Sequence, residues 1–351
     1  MEIALLTIWH EKNYGAELQA YATIKALKAL GHNPEMINIH ITHNEKPSLM
    51  GRVANFIEKI SPANLKFERF WRSNIPTTKR YRNIDELYNT PPVADVYMVG
   101  SDQVWNPDIT KEYWRMFFLD FGNPNINRVS YASSFGVKQW NYPFYVDIIK
   151  NAINKFSVVT SREDSGVQIL KNTFGINAKS VLDPTLLFTS YEEFVPKPTS
   201  QKTLVYYPLS DDSELEDYCI SLSKRLGLKP INTNKKRVLL NKILWNRISV
   251  EQWVKNIASA DFVITRSFHG LAFCLIYKKQ FAVLKSRNDR GTRLENLLAK
   301  LGILDRAFLN TEEIEKNKPW EKPIDYTLLS SRLEVLRKES WEVLKNMLKD
   351  K

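Results

Sequence analysis

The stretch "ADFVITRSFHGLAFCLIY" (260–277) sets Arg266, Ser267 and His269 between two apolar runs, the second starting at Gly270. An apolar strand would carry these side chains to a sheet edge, and a helix beginning beside them would aim free amides at the same place. A cation, a hydroxyl, an imidazole and helix amides can together hold an anion and move a proton. A lone histidine at a strand end is more often a packed structural residue; the company of His269 is what favours chemistry. His10, His32, His40 and His43 have no such company.

Other cations could reach the same anion. "TSREDS" (160–165) puts Arg162 just past a strand, suited to a two-pronged contact with a carboxylate or phosphate unless it pairs with its acidic neighbours. "SRNDRGTRLENLLAKLGI" (286–303) adds Arg287, Arg290 and Arg293 around Gly291. Arg293 is the best placed of the three, and a solvated face is the alternative. In "NYGAELQAYA" (13–22) Gly15 would let a ligand approach the backbone, with Asn13 and Glu17 bonding sugar hydroxyls; otherwise Gly15 only makes a turn.

"VGSDQVWNPDIT" (99–110) offers Gly100, Ser101 and Asp102 and then Trp105, a flat ring that suits a sugar face or else belongs in the core with Asp102 as a cap. "YASSFG" (131–136), with Ser134, is a similar small-residue loop, and "LDPT" (182–185) reads as a structural turn. No second His, Cys or carboxylate sits at ligand spacing, so no metal site is expected.

The elements that must position these residues have a βαβ cadence. "EIALLTI", the helix "GAELQAYATIKALKALGH" and "EMINI" open it; "DVYMVG", "RVSYASSFG" and "FSVVTSREDSGVQIL" continue it. A second series follows in "KSVLDPTLLF", "TLVYYPL", "SELEDYCISLSKRLG", "DFVITRSFHG" and "QFAVL". The expected fold class is α/β, with two Rossmann-like domains facing across a cleft: 1–157 on the acceptor side and 158–310 on the donor side. Residues 46–92 read as a helical basic insertion or lid. Residues 311–351 read as a helical segment packing back on the body, with Leu329, Leu333, Leu336, Leu344 and Met347 along one stripe.

Composition agrees. At 351 residues the chain exceeds the usual single core. With 43% hydrophobic and 25% charged residues and no long apolar run, a transmembrane span is not expected. "MEIALLTIWHEKNYG" reads as the first strand rather than an export signal, and Cys219 and Cys274 lie in apolar surroundings, so a cytoplasmic setting is expected. The net charge of +11 favours anionic partners. The basic residues are scattered, which argues against nucleic acid. An anionic substrate, peripheral contact with an anionic membrane face, or a solvated surface with no partner all fit.

Taken in order, "NYGAELQAYATIKALKALGH", "VGSDQVWNP", "SYASSFG", "SREDSGVQIL", "VLDPTLLF", "DFVITRSFHGLAFCLIYKKQFAVL" and "RLENLLAKLGI" resemble the polysaccharide pyruvyl transferase family over about residues 1 to 303. The resemblance implies a GT-B-like architecture and transfer of the pyruvyl group of phosphoenolpyruvate to two hydroxyls of a sugar, with no cofactor. The sugar would belong to a cell-surface polysaccharide precursor, with a lipid carrier as one option. His269 matches the family histidine, and Arg162 matches an arginine associated with the donor. Better-known members have arginine two places before the histidine, where this chain has Ser267; Arg266 stands one place earlier. In a strand such a shift turns a side chain to the other face, so the donor role would pass to Arg293. A nucleotide-sugar glycosyltransferase and a noncatalytic glycan or anion-binding protein are the other readings.

Overall fold

The computed structural model describes residues 1–9, 12–39, 57, 59–234, 237–239, 244–285 and 292–349. Two parallel sheets organise them. The first contains β1 (Glu2–Leu6), β2 (Asn33–Ile39), β3 (Thr77–Tyr81), β4 (Val96–Val99), β5 (Asn127–Ser130) and β6 (Phe156–Val158) in the order β3-β2-β1-β4-β5-β6. β1 and β4 bury nearly every side chain, as strands covered by helices on both faces do. Strand order reverses between β1 and β4, so the loops after those two strands bound the crevice where ligands bind in such sheets.

A small parallel pair, β7 (Thr160–Ser161) and β8 (Lys179–Ser180), extends this sheet through bridges from Ser133 to Asp102 and Ser161. The second sheet adds β9 (Thr203–Tyr207), β10 (Lys229–Asn232), β13 (Phe262–Thr265), β14 (Gln280–Leu284) and β15 (Ala307–Phe308), ordered β10-β9-β13-β14-β15; a hairpin of β11 (Arg237–Leu239) and β12 (Leu244–Asn246) stands apart. Its order reverses between β9 and β13, so the loop carrying Arg266 to His269 lies at the second crevice.

The helices used below are α1 (Tyr14–Ala29), α2 (Pro62–Asn74), α3 (Asp164–Ile169), α4 (Ser213–Arg225), α5 (Val250–Ala258), α6 (Phe268–Ile276), α7 (Thr292–Leu301) and α8 (Tyr326–Met347). The lobes share one apolar core. A continuous buried cluster runs from Ile3 and Leu18 through Trp253 and Val263 to Leu344. At the join Tyr14 stacks on Trp253 with ring centroids 5.5 Å apart and 13° between planes, and it also packs on Phe67 and Tyr207. Such pairs contribute about 0.5–1.5 kcal/mol beyond the area they bury.

α8 buries Leu329, Leu333, Leu344 and Met347 as its stripe requires, and ties itself to the interlobe segment: Arg337 Nε donates to Leu186 O and Trp341 Nε1 to Leu187 O. No helix among the described residues is long and apolar enough to cross a membrane.

Three expectations change. The first lobe runs past residue 157, because Ile169, Leu170 and Phe174 share a buried cluster with Tyr97 and Trp105. The described part of 46–92 is not purely a helical insertion: α2, capped by Ser61 with Pro62 in its first turn, leads into β3, which forms the sheet edge. Residues 46–56 and 58 lie outside the described residues. Finally, "KSVLDPTLLF" is mostly not a strand. Only Lys179–Ser180 pairs, and a tight 3-10 turn over Pro184–Leu187 follows, with the Asp183 carboxylate accepting from Thr185 N.

Candidate active site

β13 ends at Thr265, whose Oγ1 accepts from Ser267 N at 3.0 Å. Ser267 Oγ in turn caps α6 by accepting from Gly270 N at 3.3 Å. Gly270 makes this turn fit, since a Cβ there would stand 2.3 Å from Thr265 Oγ1. The result places His269 in the first turn of α6 with only 6% of its surface exposed. Its Nε2 lies 3.6 Å from Asp183 Oδ2, an ion-pair distance rather than a hydrogen bond. The Nδ1 edge faces α1 so closely that a Cβ on Gly15 would be 2.1 Å away. Each lobe's crevice thus supplies one wall of the imidazole site.

Asp183 anchors the cations. Its Oδ2 accepts from Arg162 Nη1 at 2.9 Å and Ser101 Oγ at 2.8 Å, while Oδ1 accepts from Thr185 Oγ1 at 2.7 Å. Burial alone would raise this carboxyl; the neighbouring His269 and Arg162, with Thr185, outweigh it and hold the group well below the usual carboxylate range. Arg162 also lies 3.6 Å from Asp102 and 3.8 Å from Glu163, and its guanidinium sits 4.5 Å from the centroid of the Phe268 ring. Burial opposes its charge, yet Asp183, Asp102 and Glu163 together raise its pKa.

Arg293 of α7 comes within 3.9 Å of Asp102. Burial and then the Arg162 charge bring it down to about 10, so it remains a cation at neutral pH. Arg162 Nε and Nη2, Arg293 Nε and His269 Nε2 are buried without a hydrogen-bond partner among the described residues. Orphaned buried donors cost on the order of 1–3 kcal/mol each, and more when charged. A bound anion between the two guanidinium groups would satisfy them.

The predicted residues therefore divide. His269, Arg162, Arg293, Ser101 and Asp102 converge; Ser134 supports them at one remove, donating from Oγ to Glu163 Oε1 at 2.7 Å. Gly100 lets the end of β4 pass Thr7 and Leu5, which a Cβ would meet at 3.2 and 3.3 Å. Ser267 is spent as a cap. Arg266, just past the end of β13, turns away and pairs with Asp212 at the start of α4 at 3.1 Å. Gly15 makes room for the imidazole rather than for a ligand. Asn13 uses Oδ1 to cap α1. Glu17 is fully buried and accepts from Trp71 Nε1.

Trp105 is no platform for a sugar. It is fully buried, stacks on Phe118 at 5.6 Å and donates Nε1 to Phe117 O. Trp105→Ala should therefore behave as a core deletion, costing about 3–5 kcal/mol in chemical unfolding. Arg287, Arg290, Gly291, His10, His40 and His43 lie outside the described residues.

Sequence reasoning missed Asp183 and Glu163. "LDPT" looked like turn chemistry, which it also is, and only the fold brings its carboxylate to His269.

Several solved structures share the fold. An alpha-glucosyltransferase in complex with UDP aligns with TM-score 0.51 at 10% identity, over 99% of this chain and 100% of that one. The UDP-GlcNAc 2-epimerase of Methanocaldococcus jannaschii gives TM-score 0.53 at 12% identity over 97% and 100%. The glycotransferase of kitacinnamycin gives 0.51 at 10% over 99% of each chain. At such identities the likeness establishes the GT-B-like fold. No curated protein matches the chain in sequence. The family model described as "Polysaccharide pyruvyl transferase" matches residues 13–288, a span holding the first turn of α1, Arg162, Asp183 and the His269 turn. The chain belongs to the polysaccharide pyruvyl transferase family.

Proposed function

We propose that this site transfers the pyruvyl group of phosphoenolpyruvate to two hydroxyls of a sugar in a surface-polysaccharide precursor, forming a cyclic ketal and releasing phosphate. The observation that carries the reading is the buried set of unpartnered donors on Arg162, Arg293 and His269. The guanidinium groups hold phosphate and carboxylate, and in a site closed to water such fixed charges act at full strength. Asp183 keeps Arg162 and His269 in place.

His269, protonated, gives its proton to the methylene carbon, and the electrophilic central carbon accepts one sugar hydroxyl oxygen. The bond from that carbon to the phosphate oxygen breaks, phosphate takes the electron pair, and a second hydroxyl oxygen closes the ketal. Of the two hydroxyl protons, one replaces the proton spent on carbon and the other leaves with phosphate. Asp102, more exposed than Asp183, is the group placed to collect them. Glu17, held by Trp71, is not.

A crevice lined by Arg162, Asp183, Phe268 and Arg293 measures about 30 Å³, one water's share. Substrate entry there requires Arg293 or the lobes to move. The test is incubation with phosphoenolpyruvate and a panel of sugar acceptors, following phosphate release and the mass of the product. Phosphate release coupled to a pyruvyl ketal supports the reading; release of nucleotide from a nucleotide sugar instead would overturn it.

Arg266 supplies a contrast. Its ion pair with Asp212 is half-exposed, worth about 0–1 kcal/mol. Arg266→Ala should leave turnover and melting temperature close to those of the unaltered protein, whereas Arg162→Ala should abolish turnover.

A further inference from the structure

The first lobe carries an outer face that the donor site does not use. α2 buries Phe67, Phe70 and Trp71 in the core and turns Leu65, Arg69 and Arg72 outward, at the spacing that shares one side of a helix. Lys59, just before the helix, and Arg80 of β3 line the same depression as Arg72. Two aliphatic side chains stand open among these cations: Leu65 is 53% exposed and Ile60, next to Lys59, 47%.

The positive charge of the chain is concentrated here. Seven Lys and Arg stand between residues 59 and 82 against one acid, Glu68, in a chain whose whole excess is eleven. The next acids, Asp85 and Glu86, open the helix Ile84–Asn89 that follows β3. Glu68 pairs with Arg72 at 3.3 Å. Lys66 and Lys79 point elsewhere, donating to Asn246 Oδ1 and Thr90 Oγ1. Lys59, Arg69, Arg72 and Arg80 therefore face a single carboxylate.

Cations on an edge strand such as β3 discourage pairing with another sheet, which accounts for Arg80. It accounts neither for the cations of α2 nor for the exposed aliphatics between them. A nucleic acid would engage the cations through its phosphates and leave Ile60 and Leu65 without a role. An anionic bilayer uses both, with headgroup phosphates against Lys and Arg and the acyl boundary against the aliphatic side chains.

We infer that the outward face of α2, together with Lys59, Ile60 and Arg80, docks this protein on an anionic lipid surface. Because Phe67, Phe70 and Trp71 stay committed to the core, the helix remains part of the lobe and the contact is peripheral. Exposed charges hold it, so it weakens as salt rises. The inference is independent of the pyruvyl-transfer reading, since binding is measured without substrate.

The test is co-sedimentation with vesicles of phosphatidylcholine alone and of phosphatidylcholine with an equal share of phosphatidylglycerol, at low and high salt. The proteins are the unaltered chain, Arg69→Ala/Arg80→Ala, the charge-retaining Arg69→Lys/Arg80→Lys, and Ile60→Ser/Leu65→Ser; melting temperature checks that each is folded. The unaltered chain should sediment with the anionic vesicles and not with the neutral ones. Each cation removed should weaken partitioning about fivefold, so the alanine pair loses more than tenfold while the lysine pair keeps most of the binding. The serine pair should weaken binding at high salt, where the aliphatic contribution is what remains. Absence of binding to anionic vesicles would overturn the inference, as would binding that the alanine pair leaves unchanged or that neutral vesicles match. Retention of duplex DNA or RNA in place of vesicles, lost in the alanine pair, would make this a nucleic-acid face and overturn the lipid assignment.

Discussion

His269→Ala is expected to lower phosphate release from phosphoenolpyruvate by about 10²–10⁴-fold, the contribution typical of a positioned general acid. The ring occupies the first turn of α6, beside Asp183 and against the start of α1, where no second histidine stands among the described residues. The side chain is small and partly polar in its surroundings, so the fold should survive its removal. Thermal melting and stopped assays of phosphate release separate the two effects: an unchanged melt with lost turnover assigns chemistry to the imidazole. A near-normal rate would remove His269 from the mechanism and leave the arginines as a binding site only.

Gly15→Ala tests the same geometry from the opposite lobe. Gly15 lies in the first turn of α1 and has no positive φ that would require glycine. By helix propensity alone, alanine there would stabilise by about 1 kcal/mol in an open helix. Its Cβ, however, would stand 2.1 Å from His269 Nδ1, far inside contact distance, so the ring or the helix must shift. A misplacement of about 1 Å in a catalytic group can cost 10²-fold. The expected outcome is a fall of about that size in kcat/KM with a melting temperature near normal. Full activity in Gly15→Ala would mean that the imidazole position beside α1 does not matter to the reaction.

Much of the fold was legible because parallel strands buried on both faces leave long apolar runs, and the βαβ cadence orders them. His269 and Arg162 were legible for a related reason: Arg162 stands between a strand and a helix and His269 lies in the first turn of a helix that follows a strand, so local sequence alone puts each at a carboxyl edge. Arg266 pairs with Asp212 away from the site, but it does so from the turn just past β13, where the alternation along a strand no longer applies.

Asp183 was not legible. Its neighbours Pro184 and Thr185 account for a turn, and only the passage of the chain between the lobes brings the carboxylate to His269 and Arg162. Trp105 misled for the opposite reason. Its polar neighbours Asp102 and Asn106 stay at the loop surface or in caps while the indole turns inward onto Phe118 and Phe135. Gly15 carries no signal of its clash partner, which lies in the other lobe, 254 positions later by residue number (269 − 15).

The most direct measurement is a crystal structure of the protein with phosphoenolpyruvate. The ligand should lie with its anionic oxygens within hydrogen-bond distance of Arg162 Nε or Nη2 and of Arg293 Nε, and with its methylene carbon beside His269 Nε2. Density for the ligand elsewhere, with those donors still unpartnered in its presence, would contradict the assignment of this cluster as the donor site.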